Sequence, residues 1–196
     1  SQNDNTNSLI DSFDSQLAIV GTRIIRRRKR ALEKLRPHIQ FWHDYLSKSK
    51  EKINLKYDSL INIIDDNDDE SQIVNTFLKE LYKQREIEAL TGRCSVGPHR
   101  DDIEFLINDI SIRKFGSAGQ QRTITLALKM AELEIVKQII CMDPILILDD
   151  VLAELDIVRQ SLLLDTVGTK TQCFISATHL NKFNKDFVDG SQIIYL

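Results

Sequence analysis

The sequence predicts an α/β protein, with a mostly parallel sheet in its second half and a helical arm in its first. Three observations carry this. Ile145-Leu146-Ile147-Leu148 is an unbroken aliphatic run that reads as a strand buried on both faces. Upstream of it, apolar residues at 124, 127, 128, 131 and 135 fall on one face of a helix. Downstream, a helical stretch over 157–167 and a second apolar run over 172–176 complete the order strand, helix, strand. That order favours parallel pairing with right-handed crossovers.

The elements follow from local chemistry. Residues 1–10 are polar and Asn-rich and are expected to fray. From Asp14 to Ser47 a slightly drifting apolar stripe (Leu17, Val20, Ile24, Leu32, Leu35, Ile39) predicts a long helix. Pro37 inside it predicts a kink or break, because proline lacks the N–H and its ring crowds the preceding turn. Residues 52–57 alternate weakly and suggest a short strand. The acidic run 65–70 imitates a calcium loop for five positions, but Glu70 stands where that turn needs glycine, so it reads as a solvated loop. A second helix is expected over about 71–90, stopped by Gly92. The runs 103–107 and 110–112 flank Asn108-Asp109 and predict a hairpin. Ser117 is placed to cap the helix ending near 140, and Asp156 to cap the helix over 157–167. Residues 192–196 read as a last strand. The change of period near 91–92 predicts a helical arm over 1–91 and an α/β lobe over 92–196.

Composition narrows the class. The chain has 196 residues, 42% hydrophobic and 28% charged, enough for one ordinary domain or two small ones. Cysteines 94, 141 and 173 form no C-x-x-C pair, and their odd number offers no disulfide framework. The four histidines lack metal-site spacing. There is no signal peptide pattern and no run of about 18 apolar residues. A reduced, cytoplasmic setting is expected.

Two segments suggest chemistry. Asp149-Asp150 appear where a buried strand leaves its sheet, and two ionised carboxylates there cost several kcal/mol unless a cation or donors compensate. A magnesium ion on a nucleotide would do so, with the second acid free to handle a water; a strand ending in a polar loop is the plainer alternative. In Ser117-Ala118-Gly119-Gln120-Gln121-Arg122, a glycine at a helix start lets an anion approach free N–H groups. An ordinary capped helix is the alternative there.

Taken together, S-x-G-Q-Q-R, a helix, an aliphatic strand ending in Asp-Asp and then Leu152-Ala153-Glu154-Leu155-Asp156 follow the order of the ATP-binding-cassette heads of SMC-like proteins. Gly97-Pro98-His99-Arg100-Asp101-Asp102 narrows this further: the chain resembles the RecF family of recombinational-repair ATPases over essentially all its length. The resemblance implies an ABC-type ATPase lobe and an ATP sandwiched between two heads of a homodimer. On that pattern Asp149 would hold Mg2+ and Asp150 would deprotonate the attacking water. Ser117, Gly119 and Gln120 would reach the γ-phosphate of the partner's ATP, Asp156 would lie in the D-loop at the dimer seam, and His179 would stand at the switch position. The 97–102 motif is a family marker for which we expect a hinge position, with Arg100 paired to one of the two acids. The seven glycines (21, 92, 97, 116, 119, 168 and 190) include no G-x-x-x-x-G-K-[ST] phosphate loop. We therefore expect a C-terminal portion of a longer protein, inactive by itself. The family works with RecO and RecR upstream of RecA.

Residues 22–36 carry eight basic side chains (among them Arg26, Arg27, Arg28, Lys29 and Arg30) against Glu33. That segment is +7 in a chain of net −3, so the remainder is −10. Such polarity suits contact with duplex DNA or a single/double-strand junction through phosphates; a solvated helix face is the alternative. With no aromatic interleaved, base stacking is not suggested. The readings open at this point are an ATP-driven DNA clamp, a non-catalytic DNA- or partner-binding module, and another SMC-like ATPase head.

Overall fold

The structure is a computed structural model that describes residues 2–49, 51–61, 69–149, 155–167, 171–180, 183 and 185–195. Its elements run α1 (Gln2–Ser47), β1 (Ile53–Asp58), α2 (Glu70–Thr91), β2 (Asp102–Ile107), β3 (Ile110–Ser111), α3 (Ile112–Phe115), α4 (Ala118–Ile140), β4 (Leu146–Asp149), α5 (Ile157–Val167), β5 (Cys173–Ser176) and α6 (Lys185–Asp189). One sheet has the order β1-β2-β3 and the other pairs β4 with β5. Two compact units emerge, one from residues 1–34 and 55–105, the other from 35–54 and 106–196. They interleave along the chain, whereas the sequence suggests a boundary near 91–92.

In the first unit, Ala18, Ile25, Ile61, Ile73, Phe77, Leu81 and Val96 form the buried core. Gly21 of α1 lies against Phe77 of α2; a Cβ built on it would stand 2.6 Å from the ring. The two helices are also pinned by Arg85, whose guanidinium reaches Asp14 at 2.7 Å and Asp11 at 2.5 Å. Ser15 Oγ also donates to the Asp11 carbonyl. The helix in fact begins at Gln2, not near Asp14. It also continues through Pro37 without a break. α2 starts at an N-cap, Asp69, which accepts from Ser71 N–H, and ends at Gly92 with φ of 64°. Of the expected acidic loop, residues 65–68 lie outside the described part. Glu70 opens α2 and pairs with Arg23 and Arg26.

In the second unit the Asn108-Asp109 hairpin forms as expected. Both residues have positive φ, and β2 and β3 pair antiparallel with Ile107 opposite Ile110. α4 buries Thr123, Ile124, Leu126, Ala127, Met130 and Ala131. β4 and β5 pair in parallel, in the register Leu146 to Cys173 through Asp149 to Ser176. β4 is not buried on both faces, contrary to the expectation from its aliphatic run. Leu148 is 4% exposed, but its neighbour Ile147 is 72% exposed and Phe174, opposite Ile147, is 53% exposed. The pleat puts these two on one face, which nothing among the described residues covers. Residues 192–195 form no strand, and Leu196 lies outside the described residues. No described helix is long and apolar enough to cross a membrane, and the three cysteines are free.

Candidate functional site

The start of α4 is a complete capping box. Ser117 Oγ accepts from Gln120 N–H at 3.2 Å, and Gln120 Oε1 accepts from Ser117 N–H at 3.0 Å. This leaves the N–H groups of Ala118 and Gly119, the first two of the helix, for a partner from outside. Ser117 and Gly119 are exposed and Gln120 is half-buried. A Cβ on Gly119 would meet nothing closer than Ser117 Oγ at 3.9 Å, so packing within the chain does not require glycine there. What glycine leaves is open space in front of two free donors.

The mouth of the parallel pair is the second part of the site. Asp149 is the last residue of β4, and Ser176, level with it on β5, donates its hydroxyl to Asp149 Oδ1 at 2.5 Å. Asp149 is exposed. Carboxylate and hydroxyl oxygens are hard donors of the kind magnesium accepts. Among the described residues no cluster of three or more His, Cys, Asp or Glu could enclose a metal. One exposed carboxylate with a hydroxyl beside it fits an ion that is also held by phosphate oxygens, the usual magnesium arrangement at nucleotides. Asp150 lies outside the described residues.

Asp156 caps α5. Its Oδ1 accepts from Arg159 N–H at 3.0 Å and its Oδ2 from the Arg159 guanidinium at 2.8 Å. The Arg159 backbone bond, more than any other cause, holds this carboxyl below the usual carboxylate range. His179 is exposed, three residues beyond the end of β5. Among the described residues, no hydrogen bond or ion pair joins Ser117, Gly119 or Gln120 to Asp149, Asp156 or His179. Sequence reasoning missed Ser176 and Arg159. The first has a signal, since an apolar run ending in an oxygen side chain repeats what β4 does.

No family model matches the chain. Individual relatives do. The DNA replication and repair protein RecF of Synechococcus sp. (strain CC9605) is 47% identical over 187 residues, which are 95% of this chain and 51% of that protein. RecF of Nostoc punctiforme (strain ATCC 29133 / PCC 73102) is 43% identical over 184 residues, 94% of this chain and 49% of that one. The chain belongs to the RecF family. It spans about half the length of the curated relatives it matches. A solved structure described as the recombination mediator protein RecF-ATP in the RecFOR pathway superimposes with a TM-score of 0.77 at 32% identity, covering 89% of this chain and 46% of that one. The fold is therefore that of the RecF ATPase, as the strand and helix order implies.

Two RecF-like segments take on definite structural roles. On α1, Arg26 is half-buried and reaches Glu70 at 3.5 Å, so it does not simply face solvent. Arg28 donates to the Pro98 carbonyl and, at 3.4 Å, to Tyr57 Oη. Arg27 and Arg30 are exposed and Lys29 is half-buried. The family-marker turn 97–102 is thus tied to the basic stretch of α1. Within it, Arg100 Nε donates to the Cys94 carbonyl at 2.9 Å instead of pairing with an acid. Asp101 is already taken by Tyr57, whose hydroxyl donates to it at 2.6 Å. Burial and that carboxylate push the Tyr57 hydroxyl up to about 12. Gly97 and Pro98 are buried, which puts the turn's backbone, not its charges, at the contact with α1.

Proposed function

We propose that this chain is part of an ATP-dependent DNA-binding clamp of recombinational repair and replication-gap processing. The observation that carries the reading is the mouth of the β4–β5 pair: an exposed carboxylate at the end of a parallel strand, in a chain 47% identical to a RecF protein. On this reading Asp149 holds Mg2+ bound with ATP, and that ion supplies positive charge against the phosphates. Asp150 orients and deprotonates the attacking water. Aspartate is one methylene shorter than the glutamate common at this position in cassette ATPases, and slow turnover is the expected result.

Ser117, Gly119 and Gln120 serve a second copy. The open space before Gly119 and the free N–H groups behind it suit a γ-phosphate delivered by a partner head. A homodimer that closes only on ATP follows, with Asp156 and His179 near the seam. The arm of residues 1–91 meets DNA through the basic stretch of α1. RecO and RecR are the expected partners, and recombinase loading is the outcome. The relatives' description as DNA replication and repair proteins, and a structural neighbour described as RecF-ATP, support this role.

Replacing Asp150 by Asn in the full-length protein tests the catalytic assignment. ATP hydrolysis should fall by about 100-fold or more, the usual worth of a positioned general base, while ATP-bound dimers persist. Unchanged turnover would remove Asp150 from its role and favour a non-catalytic DNA- or partner-binding module.

A further inference from the structure

We propose that Glu51 is a positioning residue that sets which way round the Gln120 side-chain amide faces. This rests on the reading of the α4 start as the γ-phosphate contact. A glutamine amide has two ends of nearly equal shape and opposite chemistry: the oxygen only accepts and the NH2 only donates. Which end faces an incoming phosphate decides attraction or repulsion.

Two groups fix that choice. Ser117 N–H needs an acceptor and receives Gln120 Oε1 at 3.0 Å. Glu51 Oε1, which as a carboxylate can only accept, receives Gln120 Nε2 at 3.3 Å. The two demands agree. The amide therefore keeps its oxygen turned in to the cap and leaves its second N–H as a donor.

Glu51 is itself held in place. Ser49 Oγ donates to its Oε2 at 3.1 Å, and its backbone carbonyl accepts from Gln40 Nε2 of α1 at 2.9 Å. Gln40 Oε1 in turn accepts from Ile53 N–H at 2.7 Å, so the segment around Glu51 is fastened to α1 at two points. Buried His43 stands below, with Nε2 3.6 Å from Glu51 Oε2. The carboxylate that orients Gln120 is thus delivered by a different part of the chain and locked there by α1. Without it only the Ser117 N–H would select the amide orientation, at an exposed position where water can replace the amide oxygen.

The test uses the full-length protein with Glu51→Ala, Glu51→Gln, Gln120→Ala and the Glu51→Ala/Gln120→Ala pair. Two quantities are read, with thermal stability as a control: the ATP concentration at half-maximal dimer formation, and the hydrogen-exchange rate of the Gln120 side-chain NH2 by NMR without nucleotide. Glu51→Ala should raise the ATP midpoint by about 5- to 10-fold, the size of one ordinary hydrogen bond, and speed exchange at Gln120. Glu51→Gln, of the same shape and able to accept in only one of its two orientations, should fall between. The double variant should be no worse than Gln120→Ala, because Glu51 acts only through that amide. A wild-type midpoint and unchanged exchange in Glu51→Ala, or additive effects in the pair, would overturn the proposal. A wild-type protein that does not dimerise on ATP would instead overturn the functional reading, while the exchange measurement still decides the role of Glu51.

Discussion

His43 is 1% exposed, with Glu51 Oε2 at 3.6 Å from one ring nitrogen and Asp44 Oδ1 at 3.8 Å from the other. Burial outweighs the pull of Glu51 and Asp44 and, with Arg159 adding to it, lowers the imidazole pKa from 6.5. Above pH 6.5 the ring is neutral whether the chain is folded or not, and it contributes no pH dependence. Below that, the unfolded chain takes up a proton that the folded chain resists, so stability falls with pH until the folded ring also titrates. Melting temperature should therefore decline as pH drops below 6.5, and His43→Gln should flatten that decline. An equal slope in wild type and variant would mean that His43 is not the source. Asp156 is shifted down as well. Its depressed carboxyl supports the fold above the ordinary carboxylate range and ceases to as pH drops through its own.

At the scale of elements, α1 and α2 meet closely because one residue has no side chain. A Gly→Ala change in the middle of an exposed helix gains about 1 kcal/mol of propensity. At Gly21 the added methyl would stand 2.6 and 2.8 Å from carbons of the Phe77 ring, which is fully buried. Overpacking of this kind costs about 1–3 kcal/mol and should win. Gly21→Ala is thus expected to lower the melting temperature, and a smaller residue at Phe77 should rescue it. A more stable Gly21→Ala would show that the ring moves aside freely. The hydrophobic stripe of α1 was legible in the sequence; this close approach was not, since it depends on where α2 arrives. α4 divides in the same way. Its cap, its glycine and its length follow from local spacing, but the Glu51 that steers Gln120 comes from far upstream.

For the whole molecule, charge is arranged more sharply than its net value suggests. The structure refines the +7 of residues 22–36, because Arg23 and Arg26 are engaged with Glu70, and Arg28 with the 97–102 turn. Arg27, Lys29 and Arg30 remain candidates for DNA phosphates, Arg27 and Arg30 being exposed. Changing these three to Ala in the full-length protein should weaken duplex binding and reduce the log–log salt slope by about 0.9 for each phosphate no longer neutralised. Arg28→Ala should in addition lower stability by loosening the turn. A triple variant with wild-type affinity would make the stretch a solvated face. Among the features readable from the residues alone are the α/β class, the hairpin, the capped helices and the strand that ends at Asp149, because each arises from periodicity or from a neighbour a few positions away. The residues also pointed to the RecF family. Tertiary structure alone decided that α1 runs from Gln2 through Pro37, that Ile147 and Phe174 stay exposed on one face of β4 and β5, that Arg28 serves the 97–102 turn, that Ser176 meets Asp149 and that Glu51 meets Gln120. These outcomes depend on which distant segments meet, and burial, charge pairing and amide orientation are properties of such meetings rather than of any local stretch of chain.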